Sequence, residues 1–257
     1  MNSYQKWIAF QTLIVREVRR FMRIWLQTLL PPAITMALYF IIFGNLIGSR
    51  IGEMGSYSYM QFVVPGLIMM SVITNSYSNV VSSFFGAKFQ HHIEELLISP
   101  VPNYIILAGY VLGGVSRGLI VGLIVSLLSL FFAELPIYSV LITISVVLMT
   151  SILFSLLGMI NAIYANSFDD ISIVPTFVLT PLIYLGGVFY SLDLLPEFWQ
   201  GVSKLNPILY VVNAFRYGIL GYTDINISFA FVMMAAFTVI AAAYCLYLLN
   251  NSKRLRS

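Results

Sequence analysis

The chain has 257 residues, of which 60% are apolar and 9% charged, with a formal net charge of +3. Soluble domains carry about 25% charge, so this composition excludes a water-surrounded globule and points to an all-α polytopic membrane protein. The single cysteine, Cys245, lies inside an apolar run, which excludes a disulfide framework and a cysteine metal cluster.

The first 23 residues precede an apolar run that begins at Ile24 and is too long for the apolar region of a cleavable signal peptide. Within them Trp7, Phe10, Ile14, Val18 and Phe21 recur at helical spacing. Arg16, Arg20 and Arg23 lie about 180° from Trp7 at roughly 100° per residue. The pattern predicts an amphipathic helix in the headgroup plane, its arginines toward anionic lipid or a cytoplasmic partner.

Charge-free runs then cover 24–49, 54–87, 135–168, 171–192 and 225–252. Each is long enough for the roughly 20 residues that a bilayer-spanning helix needs. A further stretch is interrupted only by Arg117, so six spans are predicted, at about 24–48, 60–84, 104–132, 137–165, 171–191 and 227–250. In the third, Gly109, Gly113, Gly114, Gly118 and Gly122 predict ridges of small residues that let helices approach closely. With the N-terminus inside, the cytoplasmic segments hold Lys6, Arg16, Arg19, Arg20, Arg23, Lys88, Lys253, Arg254 and Arg256. The outer segments hold only Arg50, Lys204 and Arg216. This bias predicts cytoplasmic termini at both ends.

Two connecting segments depart from ordinary loops. In 85–100, Phe89, Ile93, Leu96 and Leu97 fall at i, i+4, i+7 and i+8, which predicts a short cytoplasmic helix stopped by Pro100 and Pro102. Its apolar stripe needs a cover, either lipid or a groove on a soluble partner. The outer segment 191–226 is too apolar for a solvated loop, and its apolar runs are too short to span. Pro196 and Pro207 fit the first turns of two short helices, so 196–204 and 207–220 read as a re-entrant hairpin, either a lid or a space-filling plug.

The patterns that carry catalysis are missing. Lys6, Lys88, Lys204 and Lys253 follow Gln, Ala, Ser and Ser, so no glycine-lysine phosphate loop exists and any ATP is bound by another chain. His91 and His92 are adjacent and lack the spacing that aims two imidazoles at one metal. No basic patch interleaved with aromatics suggests nucleic acid. Arg117 is the one charge read as deep in a span, about 20 Å along a helix from Tyr104. Such a charge costs about 2.5–3.5 kcal/mol near the bilayer centre. It is either a clamp on carbonyls or on an acidic neighbour, the preferred reading, or a contact for an anionic substrate. Asn75 and Asn79 in the second span, and the stripe Thr176, Thr180 and Tyr184 in the fifth, are further candidates for a substrate path.

The strings FVVPGLIMMSVITNSYSNVVSSFFGAKFQHHIEELLISP (62–100) and FDDISIVPTFVLTPLIYLGGVFYSLDLLPEFWQGVSKLNPILYVVNAFRYG (168–218) resemble the type-2 ABC transporter permeases, and the resemblance covers nearly the whole chain. It implies one permease domain over 1–257. That domain comprises an interface helix at 1–23, spans one to five over 24–190, a re-entrant segment at 191–226, span six at 227–250 and a basic tail at 251–257. It further implies a homodimer in the bacterial inner membrane, paired with two separate ATPase subunits that bind ATP and Mg. Lys88, Phe89, His92, Ile93, Glu94, Glu95, Leu96 and Leu97 then belong to a coupling helix, with Glu94 and Glu95 facing basic groups on the ATPase. Arg16, Glu17, Arg19 and Arg20 belong to the interface helix, and Phe198, Trp199, Asn206, Pro207 and Tyr210 to an outer lid. The implied activity is ATP-driven export of a lipidic, amphipathic or saccharide-type substrate, with no catalytic site on the permease. The spans alone fit a passive channel or a membrane scaffold equally.

Overall fold

The computed structural model describes residues 1–51, 53–54 and 57–251, so Lys253, Arg254 and Arg256 of the basic tail lie outside the described residues. The described residues fold into helices, with one two-residue antiparallel pairing of β1 (Glu53–Met54) and β2 (Tyr57–Ser58). Helix α1 (Ser3–Arg23) is followed by α2 (Trp25–Thr28), α3 (Leu30–Ile41), a π-helical stretch at Ile42–Ile47 and α4 (Gly48–Ile51). The break at Leu29 has a covalent cause: Pro31 and Pro32 have no amide N–H to give to the carbonyls one turn back.

Helix α5 (Tyr59–Phe89) starts on a Ser58/Gln61 capping box and runs 31 residues, about 46 Å at 1.5 Å per residue. It is followed by α6 (His92–Ile98), α7 (Asn103–Ser129) and α8 (Val140–Tyr164). Next comes a broken helix made of α9 (Asp170–Val174), a π-helical stretch at Pro175–Leu179 and α10 (Thr180–Tyr184). The chain ends in α11 (Glu197–Lys204), α12 (Pro207–Leu220) and α13 (Ile227–Asn251).

Among the described residues, four stretches are long and apolar enough to cross a membrane: Trp25–Gly44, Asn103–Ser129, Val140–Tyr164 and Ile227–Asn251. They coincide with four of the six predicted spans. The other two differ in kind. Helix α5 is long enough, but its polar stretch from Thr74 to Asn79 dilutes its apolar character. The stretch predicted as 171–191 is helical only over Asp170–Tyr184, about 22 Å against a hydrocarbon layer of about 30 Å. Pro175 and Pro181 interrupt its amide ladder, and the backbone between them takes the π register.

Helix α5 is the centre of the molecule, buried over most of its surface except a stripe at Met70, Thr74, Ser78 and Ser82, and packed along α7 and α8. The glycines of α7 divide between two neighbours. A Cβ on Gly109 would lie 2.7 Å from Leu13 Cβ, and one on Gly113 2.6 Å from Glu17 Cβ, so these two glycines seat α1. A Cβ on Gly114 would meet Ser155 Oγ at 2.3 Å and Val80 at 2.6 Å, and one on Gly122 would meet Val72 at 2.8 Å, so this row seats α5 and α8. The small-residue ridges are therefore packing surfaces, as their spacing predicts.

Candidate functional site

A polar seam runs through the apolar interior where α1, α5 and α7 meet. Glu17 is 1% exposed, and its carboxylate accepts from Ser83 Oγ at 2.6 Å and Arg16 Nη2 at 3.1 Å. Arg20 Nε lies 3.4 Å from Glu17 Oε2, and Arg20 Nη2 donates to the backbone oxygen and Oδ1 of Asn79 at 3.0 and 2.8 Å. The sequence placed Arg20 toward anionic lipid or a cytoplasmic partner and assigned Glu17 to no face; both turn inward. Helical periodicity finds two faces but does not say which one meets the protein. Here the gap left by Gly113 draws Glu17 in, and its charge brings Arg20 along. Trp7, on the opposite face predicted to meet lipid, is 55% exposed.

One helical turn further along α5, Arg117 Nη2 donates to Asn75 Oδ1 at 3.0 Å and to the Thr28 carbonyl at 3.1 Å. Thr28 O is the acceptor that an amide at position 32 would satisfy, and position 32 is proline. Arg117 therefore supplies the donor that Pro32 lacks. The Thr28 hydroxyl in turn donates to Phe21 O at 2.9 Å, so α1, the α2–α3 break and α7 form one joint. This is the clamp geometry. Arg117→Gln is expected to lower the thermal unfolding midpoint in detergent, since each buried group left unpaired costs about 1–3 kcal/mol. An unchanged midpoint with transport abolished would instead make Arg117 a substrate contact.

Around α6 the docking residues separate into two groups. Lys88 and Phe89, expected on the short helix, are the last turn of α5; the chain turns at Gln90 and His91, the latter at φ 60°. Lys88 Nζ donates to Ile163 O at 2.8 Å and Ala165 O at 2.7 Å, closing the carbonyl end of α8. The Phe89 ring packs 4.9 Å from that of Phe168. Of the apolar stripe, Ile93 is buried and Leu96 and Leu97 pack on the core, so the body of the protein covers most of it. What α6 presents outward is His92, Glu95 and Ile98, the last 86% exposed, with half-buried Glu94 held by His91 Nδ1 at 2.8 Å. Nearby, Asp170 Oδ2 accepts the backbone amides of Asn166 (2.8 Å) and Ser167 (3.2 Å).

At the opposite end of α5 the expected lid divides as well. Helix α11 is surface, with Phe198 73% and Trp199 46% exposed. Helix α12 is interior, packed among α5, α8 and α13. Asn206 caps it, accepting from Ile208 N at 2.9 Å and donating to Leu182 O at 2.6 Å, while the Tyr210 hydroxyl donates to Lys204 O at 2.8 Å. Pro207 supplies its first turn. Of the lid and plug readings, α12 has the packing of the plug.

The candidate path residues do not converge. Asn75, Asn79 and Arg117 belong to the interior seam, whereas Thr176, Thr180 and Tyr184 lie on an exposed stripe of the 170–184 helix. Thr180 Oγ1 bonds back to Pro175 O at 2.9 Å, and Tyr184 stacks on Phe189 with ring centroids 5.6 Å apart.

Arg216 is the residue whose setting the sequence did not show. Counted there as an outer-segment charge, it is fully buried, donating to Gly187 O at 2.7 Å, Phe62 O at 3.2 Å and Asn213 Oδ1 at 3.4 Å. Its guanidinium lies 3.7 Å from the centroid of the Phe62 ring. The only local hint is Asn213 one turn before it.

The described residues thus form a helical membrane protein with apolar spans and a polar seam built on a glycine-ridged helix. Residues 8–220 match the family model described as ABC-2 type transporter. The chain belongs to the ABC-2 type transporter family. It is 59% identical over 251 residues to the inner membrane transport permease YadH of Escherichia coli K12, covering 98% of each chain. It is also 23% identical over 191 residues to nodulation protein J of Rhizobium leguminosarum bv. trifolii, covering 74% of this chain and 73% of that protein.

Proposed function

We propose that the chain is the permease subunit of an ATP-driven exporter in the bacterial inner membrane, with ATP and Mg bound by a separate ATPase subunit present in two copies. In this reading the permease is a homodimer that moves a lipidic, amphipathic or saccharide-type substrate outward and has no catalytic site of its own. Helix α5 and the 170–184 segment join the four apolar spans to make six membrane elements, which puts both termini in the cytoplasm. Helices α11 and α12 form the re-entrant outer segment. Family membership and the 59% identity to a protein named as an inner membrane transport permease support this reading.

The observation that carries the ATP coupling is the fixture of α6. Ile93 anchors it to the body, Ile98 and Glu95 face outward, and the turn before it is tied through Lys88 and Phe89 to the α8–α9 connection. A push on α6 therefore reaches both α5 and the proline-broken 170–184 helix. Reversing Glu94 and Glu95 together to Lys is expected to abolish co-purification with the ATPase, or to leave ATP hydrolysis running without transport. Co-purification and coupled hydrolysis at wild-type levels would overturn the docking assignment.

A further inference from the structure

Between α1 and the α6 end of α5 lies an open groove of about 1220 Å³, bounded by Arg16, Arg19, Arg20 and Arg23 together with Glu17 and Tyr110. His92 also borders it. Four guanidiniums face one carboxylate, and Glu17 is already saturated by Ser83, Arg16 and Arg20. Arg19 and Arg23 make no ion pair among the described residues. The lining is not wholly polar: Val15 and Met22 alternate with the arginines, and Ala87 and Gly86 floor the groove, a Cβ on Gly86 meeting nothing within 4 Å.

The depth of the groove follows from chain continuity. Arg23 is two residues before Trp25, where an apolar stretch long enough to cross the membrane begins. Trp7 and Trp25 are about half exposed, as aromatic residues at a headgroup boundary are. A basic, partly apolar groove at that level suits a phosphate-bearing amphiphile better than a soluble acidic peptide. We propose that the groove is a binding site for the headgroup of an acidic phospholipid, held by Arg19 and Arg23 with Arg16 beside them. The assignment to the inner leaflet rests on the proposed orientation; the binding itself needs neither the ATPase nor nucleotide.

The test is native mass spectrometry of the full chain in detergent, titrated with phosphatidylglycerol and, separately, with phosphatidylcholine of the same acyl chains. Phosphatidylglycerol is expected to bind about tenfold more tightly, and Arg19→Gln/Arg23→Gln to erase that preference. Because both side chains are exposed, the variant should keep the wild-type unfolding midpoint. Equal binding of the two lipids, or a preference that survives in the folded double variant, overturns the proposal. Displacement of phosphatidylglycerol by millimolar inorganic phosphate would make the groove a soluble-anion site and overturn the lipid source. A variant that keeps the lipid preference but no longer retains the ATPase would make it a protein-docking surface. Failure of ATP coupling leaves the lipid result unaffected, so the two readings fail separately.

Discussion

Arg216→Ala is expected to be the most damaging single change in the protein, lowering stability by about 4 kcal/mol. The side chain is fully buried and serves three oxygens on three segments, Gly187 O, Phe62 O and Asn213 Oδ1. Removing it strips a donor from each of these oxygens, of which Asn213 Oδ1 still accepts from Asp224 N at 3.2 Å, at about 1–3 kcal/mol for each one left dry, and opens a cavity beneath the Phe62 ring. Domains of ordinary stability have about 5–15 kcal/mol in hand, so the variant should be recovered in poor yield with a much lower melting midpoint. Arg216→Lys keeps the charge but replaces a planar five-donor fork with a point ammonium, and should fall between wild type and alanine. Size-exclusion profiles and melting curves in detergent decide the matter. A wild-type midpoint for Arg216→Ala would show that these contacts contribute little.

Glu17→Leu comes next, with an expected cost of about 3 kcal/mol. Breaking a buried ion pair by removing one partner costs about 3–5 kcal/mol, because the charge left behind is uncompensated. The lower end applies here, since the Arg16 and Arg20 side chains are 48% and 29% exposed and reach water. Glu17→Gln keeps an acceptor for Ser83 and for one arginine and should lose markedly less. Melting curves for the two variants side by side separate the charge from the hydrogen bonds. Equal effects of leucine and glutamine would make the seam a hydrogen-bond network in which charge is incidental.

The parts of the fold legible in the sequence are those set by local chemistry. Charge-free runs gave the long helices to within a few residues, Pro100 and Pro102 bracketed the end of α6, and Pro207 marked the start of α12. The failures share a cause: each depends on a partner far away in the chain. Arg216 meets Phe62 across 154 residues, and Arg20 meets Asn79 across 59. A window of helical periodicity cannot register either contact. Nothing local to Glu17, set among arginines, marks it as interior, and only the space left by Gly113 on another helix makes it so. The seam of the candidate site was therefore half visible, in Asn75, Asn79 and Arg117, while its acidic centre was not. The 170–184 helix was misjudged in length for a different reason: the apolar run continues through Leu185 and Val188, but Gly187 at φ +71° turns the backbone away.

The two glycine rows of α7 also limit how this molecule can move. If α7 rotated about its own axis, residues bearing a Cβ would come under Glu17 on one side and Val80 on the other, both already within van der Waals distance of bare glycine. Helices α1, α5, α7 and α8 must then travel as one rigid block, and a transport cycle has to find its joints elsewhere. Among the places where the backbone ladder is interrupted are the prolines at 31 and 32, those at 175 and 181, and the left-handed turn at His91. The stationary part of the machine is thus specified by its glycines and the moving boundary by its prolines.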